Sequence, residues 1–174
     1  MAKVSIIIAP NDFKDETLAK AELFLDKKGI EHEILSTAEA TCKGYHGATR
    51  KQDARADEFE PAYTDAVLIV DGPGVESSRL YENRQILDRI KVAHENKKLI
   101  AAVGNAIKVV AKSNVIKDTK IASIDDEDAK RLVGLYRGVM TNAPLVMDKG
   151  ILTASDDADM QEFVGAIADA LGIK

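Results

Sequence analysis

The residues whose order bears most directly on chemistry run from Lys98: Lys-Leu-Ile-Ala-Ala-Val-Gly104-Asn105-Ala-Ile-Lys-Val-Val-Ala. An apolar run, Leu99 to Val103, passes straight into a helical pattern with only Gly104 and Asn105 at the junction. A buried strand that turns so abruptly into a helix forms a nucleophile elbow, which lifts one side chain above the sheet beside the free amides of the first helical turn. Here the raised position is Gly104, which has no side chain to attack with. The frame is that of an enzyme, and the reactive atom is absent. The plainer alternative is an ordinary strand-to-helix turn.

The remaining chemically capable side chains are scattered. Cys42 lies in an irregular polar stretch rather than at an elbow, so a buried or incidental thiol is the simpler expectation. His94 follows Ile86 and Ile90 at helical spacing, which gives it a half-buried structural role. His32 stands apart from the other two histidines in sequence, and His46, in Gly44-Tyr45-His46-Gly47, reads as a loop histidine in solvent or at a pocket rim. The run Asp125-Asp126-Glu127-Asp128 precedes Ala129-Lys130-Arg131-Leu132-Val133 and reads as acids favoured by a helix N-terminus. It lacks the alternating spacing of a calcium loop. No metal and no cofactor is expected.

The elements that must position these residues alternate. Val4–Ala9, Ala66–Asp71 and Leu99–Val103 are short apolar runs with no polar face, as central parallel strands should be. Glu33–Ser36 reads as an edge-like strand and Lys120–Ile124 as a further one. Pro144–Thr153 reads as a hairpin around Asp148-Lys149-Gly150. Leu18, Ala21 and Leu25 mark a helix stopped by Gly29. Ile86, Ile90 and Ala93 mark another. The last, with Met160, Phe163, Val164, Ile167 and Leu171, is expected to be capped by Asp156-Asp157 and ended by Gly172. Thr41–Glu60 is the least regular stretch, an excursion between strands. Alternation with short connections implies a five- or six-stranded, mainly parallel sheet between two layers of helices. Ligands of such sheets bind beyond the strand carboxyl ends, which three loops reach: Pro10–Glu16, Asp71–Glu76 and Val103–Ala106.

Composition sets mild bounds. A chain of 174 residues, 45% hydrophobic, suits one domain over residues 1–174. A net charge of −5 argues against nucleic acid or an anionic membrane as partner. No apolar run approaches the roughly 20 residues of a membrane span, and Lys3 is followed at once by a strand-like run rather than a signal peptide. One cysteine excludes an internal disulfide. The expectation is a soluble cytoplasmic protein.

Taken together, the loops and their spacing resemble the DJ-1/PfpI family, flavodoxin-like relatives of the class I glutamine amidotransferases. Lys3-Val-Ser-Ile-Ile-Ile-Ala-Pro-Asn-Asp-Phe-Lys-Asp-Glu is similar to the family's first strand and acidic loop. Asp65-Ala-Val-Leu-Ile-Val-Asp-Gly-Pro-Gly resembles its Asp-Ala-Leu-Val-Leu-Pro-Gly-Gly segment. Lys97 to Ala106 lies where the family has a strand ending in cysteine, and Pro144–Asp157 resembles its late hairpin. The resemblance implies a flavodoxin-like three-layer α/β sandwich and, from family habit, a homodimer or larger homo-oligomer.

It also exposes departures. Gly104 stands in place of the family cysteine, Asn105 in place of the histidine that often follows, and Ser155 in place of a late arginine. Lys14 aligns with the glutamate that contacts the cysteine, with Asp15 and Glu16 close by. A thiolate is the chemically active form, so its loss removes the family's chemistry. The expectation is a diverged, non-enzymatic ligand-binding or regulatory domain. Its relic pocket would comprise Gly104, Asn105, Gly72, Pro73, Gly74, Lys14 and Asp12, and Gly104 would relax a strained elbow. Free helix amides, the glycine amides and Lys14 together describe a site for a small anionic ligand. Two alternatives stand beside it: a hydrolase or lyase using Asp12, Asp15, Glu16 or His46, and a purely structural oligomer.

Overall fold

The computed structural model describes residues 1–174. The chain runs β1 (Lys3–Ile7), β2 (Asn11–Phe13), α1 (Asp15–Lys27), β3 (Glu31–Ser36), β4 (Thr41–Gly44), β5 (Thr49–Lys51), β6 (Ala54–Arg55), β7 (Ala66–Ile69), α2 (Gly74–Ser77), α3 (Arg84–Glu95), β8 (Leu99–Val103), α4 (Ile107–Lys112), β9 (Lys120–Ile121), α5 (Glu127–Leu135), β10 (Val139–Met140), β11 (Leu145–Asp148), β12 (Ile151–Ala154) and α6 (Met160–Ala170). Seven strands form the main sheet in the order β11-β12-β8-β7-β1-β3-β6. Only the β11–β12 hairpin is antiparallel. The expected three-layer α/β sandwich with a mainly parallel sheet is therefore observed.

The apolar strands separate into two cores because successive side chains point to opposite faces. Ile7, Val67, Ile69, Ile100 and Ala102 join α3, α4 and α5 on one side. Val4, Ile6, Leu68, Ala101 and Val103 join α1 and α6 on the other. A strand covered on both faces favours apolar residues throughout, which is why β7 and β8 read as unbroken apolar runs. β1 admits one buried polar residue, Ser5, whose hydroxyl is satisfied by Glu33 and Thr64 at 2.9 Å each. Chain order reverses at β1: its neighbours are β3 on one side and β7 on the other. The crevice at that reversal opens at the carboxyl ends of β1 and β7, next to the end of β8.

Several expectations need correction. The sheet has seven strands, not five or six, because β6 adds two residues beyond β3. The strand at Glu33–Ser36 begins at Glu31 and is one in from the edge. The excursion at Thr41–Glu60 holds β4, β5 and β6; β4 and β5 pair antiparallel and join β2, inside the Pro10–Glu16 loop, in a separate three-stranded sheet. The strand at Lys120–Ile124 is only Lys120–Ile121, paired with β10 outside the main sheet. The cap of α6 is Asp159, whose carboxylate accepts from the Gln161 and Glu162 amides at 2.8 and 3.2 Å. Asp157 is engaged by the Ser155 hydroxyl at 2.6 Å instead.

Candidate functional site

The strand-to-helix junction after β8 has the conformation that only glycine adopts freely: Gly104 has φ +54° and opens a single turn of 3-10 helix, Gly104–Ala106, that leads into α4. The space above it is filled. A Cβ on Gly104 would stand 3.0 Å from Asp71 Oδ2, 3.3 Å from Asp71 Cβ and 3.4 Å from Asp156 Cβ. Asp71, the residue that follows Val70 at the end of the β7 run, thus turns its carboxylate onto the elbow. It is 4% exposed, and its Oδ1 has no hydrogen-bond partner. Burial pushes its carboxyl above the usual range, against the opposing influence of Thr17 and the Lys14 ammonium.

Lys14 comes to the same point from the first loop. Its N–H donates to the Asp71 carbonyl at 2.9 Å, and its ammonium lies 3.8 Å from Asp71 Oδ2. The ammonium also donates to the Asp156 carbonyl at 3.3 Å. Two clefts flank it, of about 140 and 360 Å³, and both are lined by Asp156 and Asp157, the smaller also by Glu16 and the larger by Asp125. Carboxylates outnumber ammonium groups around Lys14.

Asn105 and the Gly72 loop are bound to each other. The Asn105 amide donates to the Gly72 carbonyl at 2.8 Å, and its oxygen accepts from the Gly72 N–H at 3.1 Å. Gly72 (φ +134°) packs so closely on the first loop that a Cβ would meet the Asp12 carbonyl and the Lys14 nitrogen at 2.6 Å; a Cβ on Gly74 would meet the Asn11 carbonyl oxygen. These glycines serve backbone-to-backbone packing between loops. Pro73 precedes α2, and Asp12 occupies a left-handed position at φ +61°.

The structure thus brings Lys14, Gly72 and Asn105 to Gly104, but commits the groups expected to cradle an anion. The Gly72 N–H is spent on Asn105, the Lys14 ammonium is held by Asp71 and Asp156, and the surrounding field is acidic. The other acidic-loop candidates, Asp15 and Glu16, lie apart from the elbow contacts and have partners of their own. Asp15 accepts from the His46 and Ala48 amides at 2.8 Å each; burial pulls its pKa up, but these bonds hold it below the usual range. Glu16 pairs with Lys20 at 2.7 Å. His46 is exposed at the β4–β5 tip, edge-on to Tyr45. Cys42 is fully buried in β4, and burial raises its thiol pKa, which makes it unreactive. His94 bonds the Lys149 carbonyl at 3.0 Å.

Two residues escaped the sequence reading. Asp71 was visible as a charged residue closing an apolar run, the single polar break between Ala66 and Gly72. Lys108, on α4, is 1% exposed; it pairs with Glu76 and, at 3.3 Å, with Asp126, and lies 5.8 Å from the Tyr81 ring centroid. It ties the elbow helix to α2 and α5.

No helix is long and apolar enough to cross a membrane, and no group of three or more histidine, cysteine or acidic side chains is placed to hold a metal ion. The family model of the DJ-1/PfpI family matches residues 2–170, and the chain belongs to that family. An uncharacterized protein of Methanocaldococcus jannaschii is 24% identical over 153 residues, covering 88% of this chain and 74% of its own length. A ThiJ/PfpI domain protein from Brachyspira murdochii superposes with a TM-score of 0.90 at 19% identity, over 98% of this chain and 96% of that one. A cysteine-to-alanine mutant of a DJ-1 superfamily protein from Salmonella typhimurium gives 0.84 at 25% identity, over 99% and 92%.

Proposed function

We propose that this member of the DJ-1/PfpI family has no nucleophile at its elbow and works as a non-catalytic binding or regulatory domain, as a cytoplasmic homo-oligomer. One observation carries the reading: Gly104 holds the elbow conformation at φ +54° while the Asp71 carboxylate takes the room above it. A glycine at a left-handed turn removes the strain that a reactive side chain would impose there, roughly 1–3 kcal/mol. A buried carboxylate in the same spot is a poor neighbour for a thiolate, since like charges oppose ionisation. The chain's single thiol, Cys42, is buried in β4 of the small sheet.

The test is chemical. Treated with iodoacetamide, the folded protein should gain no adduct, and Cys42 should be modified only after denaturation. Incubation with methylglyoxal or with casein should give no turnover. Steady turnover of either by the wild type refutes the proposal.

A second reading has a specific observation behind it. Asp71 combines a raised pKa, an unpartnered oxygen and an ammonium neighbour, Lys14, that lines two polar clefts, features expected of an acid–base residue. Under this reading the chain is a hydrolase or lyase working through Asp71 with Lys14. An activity abolished by Asp71→Asn while thermal stability is kept would favour it over the binding domain.

A further inference from the structure

A separate cleft lies at the other end of the sheet, below the amino ends of β7, β8 and β12. It is an open cleft of about 470 Å³. Lys97, Lys98 and Lys149 line it, together with His94, and its one carboxylate is Asp65. Asp65 is partly spoken for, since its Oδ2 accepts from the Lys3 N–H at 2.9 Å. Three lysines against one aspartate leave an excess of two positive charges in a chain whose net charge is −5.

Part of this has a structural cause. Lys97 and Lys98 follow the carboxyl end of α3, where cations offset the helix dipole. That accounts for neither Lys149 nor the floor. Lys149 comes from the β11–β12 turn, an independent element, and its ammonium donates to the Asp118 carbonyl at 2.8 Å, leaving two protons to offer. His94 must donate through Nε2 to the Lys149 carbonyl at 3.0 Å, because a carbonyl only accepts; this fixes the turn against α3. Lys98 is partly buried and has no counter-ion within ion-pair distance. Between the cations the floor is apolar: Leu99 is 6% exposed, and Met147 is left 43% exposed. Cations around an apolar floor with an adaptable thioether suit a ligand with a charged head and a hydrocarbon body.

We propose that this cleft binds a small organic acid, its carboxylate against Lys98 and Lys149 and its apolar body on Leu99 and Met147. The proposal is independent of the elbow reading, because the two sites lie at opposite ends of the strands.

Benzoate and inorganic phosphate, titrated separately into the full-length 15N-labelled protein, test it. Benzoate should give saturable amide shifts at Lys98, Leu99 and Gly150, and should bind about tenfold more tightly than phosphate. The double variant Lys98→Gln/Lys149→Gln should bind benzoate about tenfold more weakly with an unchanged melting temperature. Lys97→Gln, at an exposed position, provides a second variant should the double one unfold, and should weaken binding to a lesser degree. Met147→Ser should weaken benzoate and leave phosphate unchanged. Absent or unsaturable shifts, shifts confined to Lys14 and Asp156, or benzoate binding no tighter than phosphate would each overturn the proposal.

Discussion

The Lys14 ammonium stands 3.8 Å from the Asp71 carboxylate, and this loose pair is the electrostatic centre of the elbow. The carboxylate is nearly buried and the lysine side chain is 35% exposed, so desolvation falls mainly on the acid. Burial accordingly raises the Asp71 pKa despite the nearby cation. A carboxyl whose folded pKa lies above its unfolded value costs stability once it ionises. The cost appears as pH rises through the unfolded value of 3.8 and is complete above the folded one. Asp71→Asn removes it. The variant should therefore gain stability over the wild type between pH 3 and pH 7, measured as the difference in melting temperature. A gap that narrows with rising pH would contradict this account.

The paired hydrogen bonds between Asn105 and Gly72 should be worth more than either alone. Asn105→Ala strands the Gly72 N–H in a packed junction and leaves the Gly72 carbonyl only the Val75 N–H at 3.1 Å, at a cost of about 1–3 kcal/mol. Gly72→Ala should cost at least as much, because the new methyl group meets backbone atoms at 2.6 Å and backbone cannot rotate away. Urea denaturation of both variants checks the two costs. Wild-type stability in Gly72→Ala would mean that the two loops do not pack as described.

How much of this could be read from residue order follows from burial. Val4–Ala9, Ala66–Asp71 and Leu99–Val103 were legible because strands covered on both faces write nearly continuous apolar runs, broken only by Ser5 in the first and closed by Asp71 in the second. The sheet of β2, β4 and β5 was not, because its strands are three or four residues long and half exposed, with partners distant in sequence (Asn11 opposite Lys43). At the site, the left-handed turn at Gly104 was legible from an abrupt strand-to-helix change. The direction of the Asp71 side chain was not, since only the folded loops decide that it points at Gly104 rather than at solvent. Lys108 shows the same limit: its position on α4 looks like any helical lysine until α2 and α5 close over it.

The charged cluster that anchors the small sheet should shape the pH profile of stability. Arg50 on β5 grips Glu22 on α1 at 3.1 and 2.6 Å, and His32 on β3 approaches the same carboxylate at 2.9 Å. Burial would raise the Glu22 pKa, but these partners bring it down to about 2. Its stabilisation is present above the unfolded value of 4.5 and is lost as pH falls toward about 2. His32 is raised, chiefly by its bond to Glu22. Its contribution is complete below the unfolded value of 6.5 and is lost as pH rises through the folded one. The cluster therefore supports the fold most between pH 4.5 and 6.5. Glu22→Gln should flatten both limbs and lower stability near pH 5.5 by about 2–3 kcal/mol. A parallel downward shift of the whole profile would assign the loss to packing instead.

A cysteine at position 104 tests the elbow most directly. The backbone there is already at φ +54°, the conformation an elbow nucleophile must tolerate, so Gly104→Cys should fold, at a strain cost of roughly 1–2 kcal/mol. Its thiol would begin from a Cβ 3.0 Å from Asp71 Oδ2, and that carboxylate opposes thiolate formation whenever it is charged. Nothing compensates: Lys14 is shared between Asp71 and Asp156, and the residue after the elbow is Asn105, which offers no positive charge. The introduced thiol should therefore react with iodoacetamide more slowly at pH 7 than free cysteine does. Adding Asp71→Ala should speed the reaction by about tenfold or more, because losing the carboxylate both opens the space and leaves Lys14 free to stabilise the thiolate. Non-additive behaviour of this pair, measured as alkylation rate against pH, would locate the block at Asp71. Equal rates in the single and double variants would show that Asp71 does not govern the elbow.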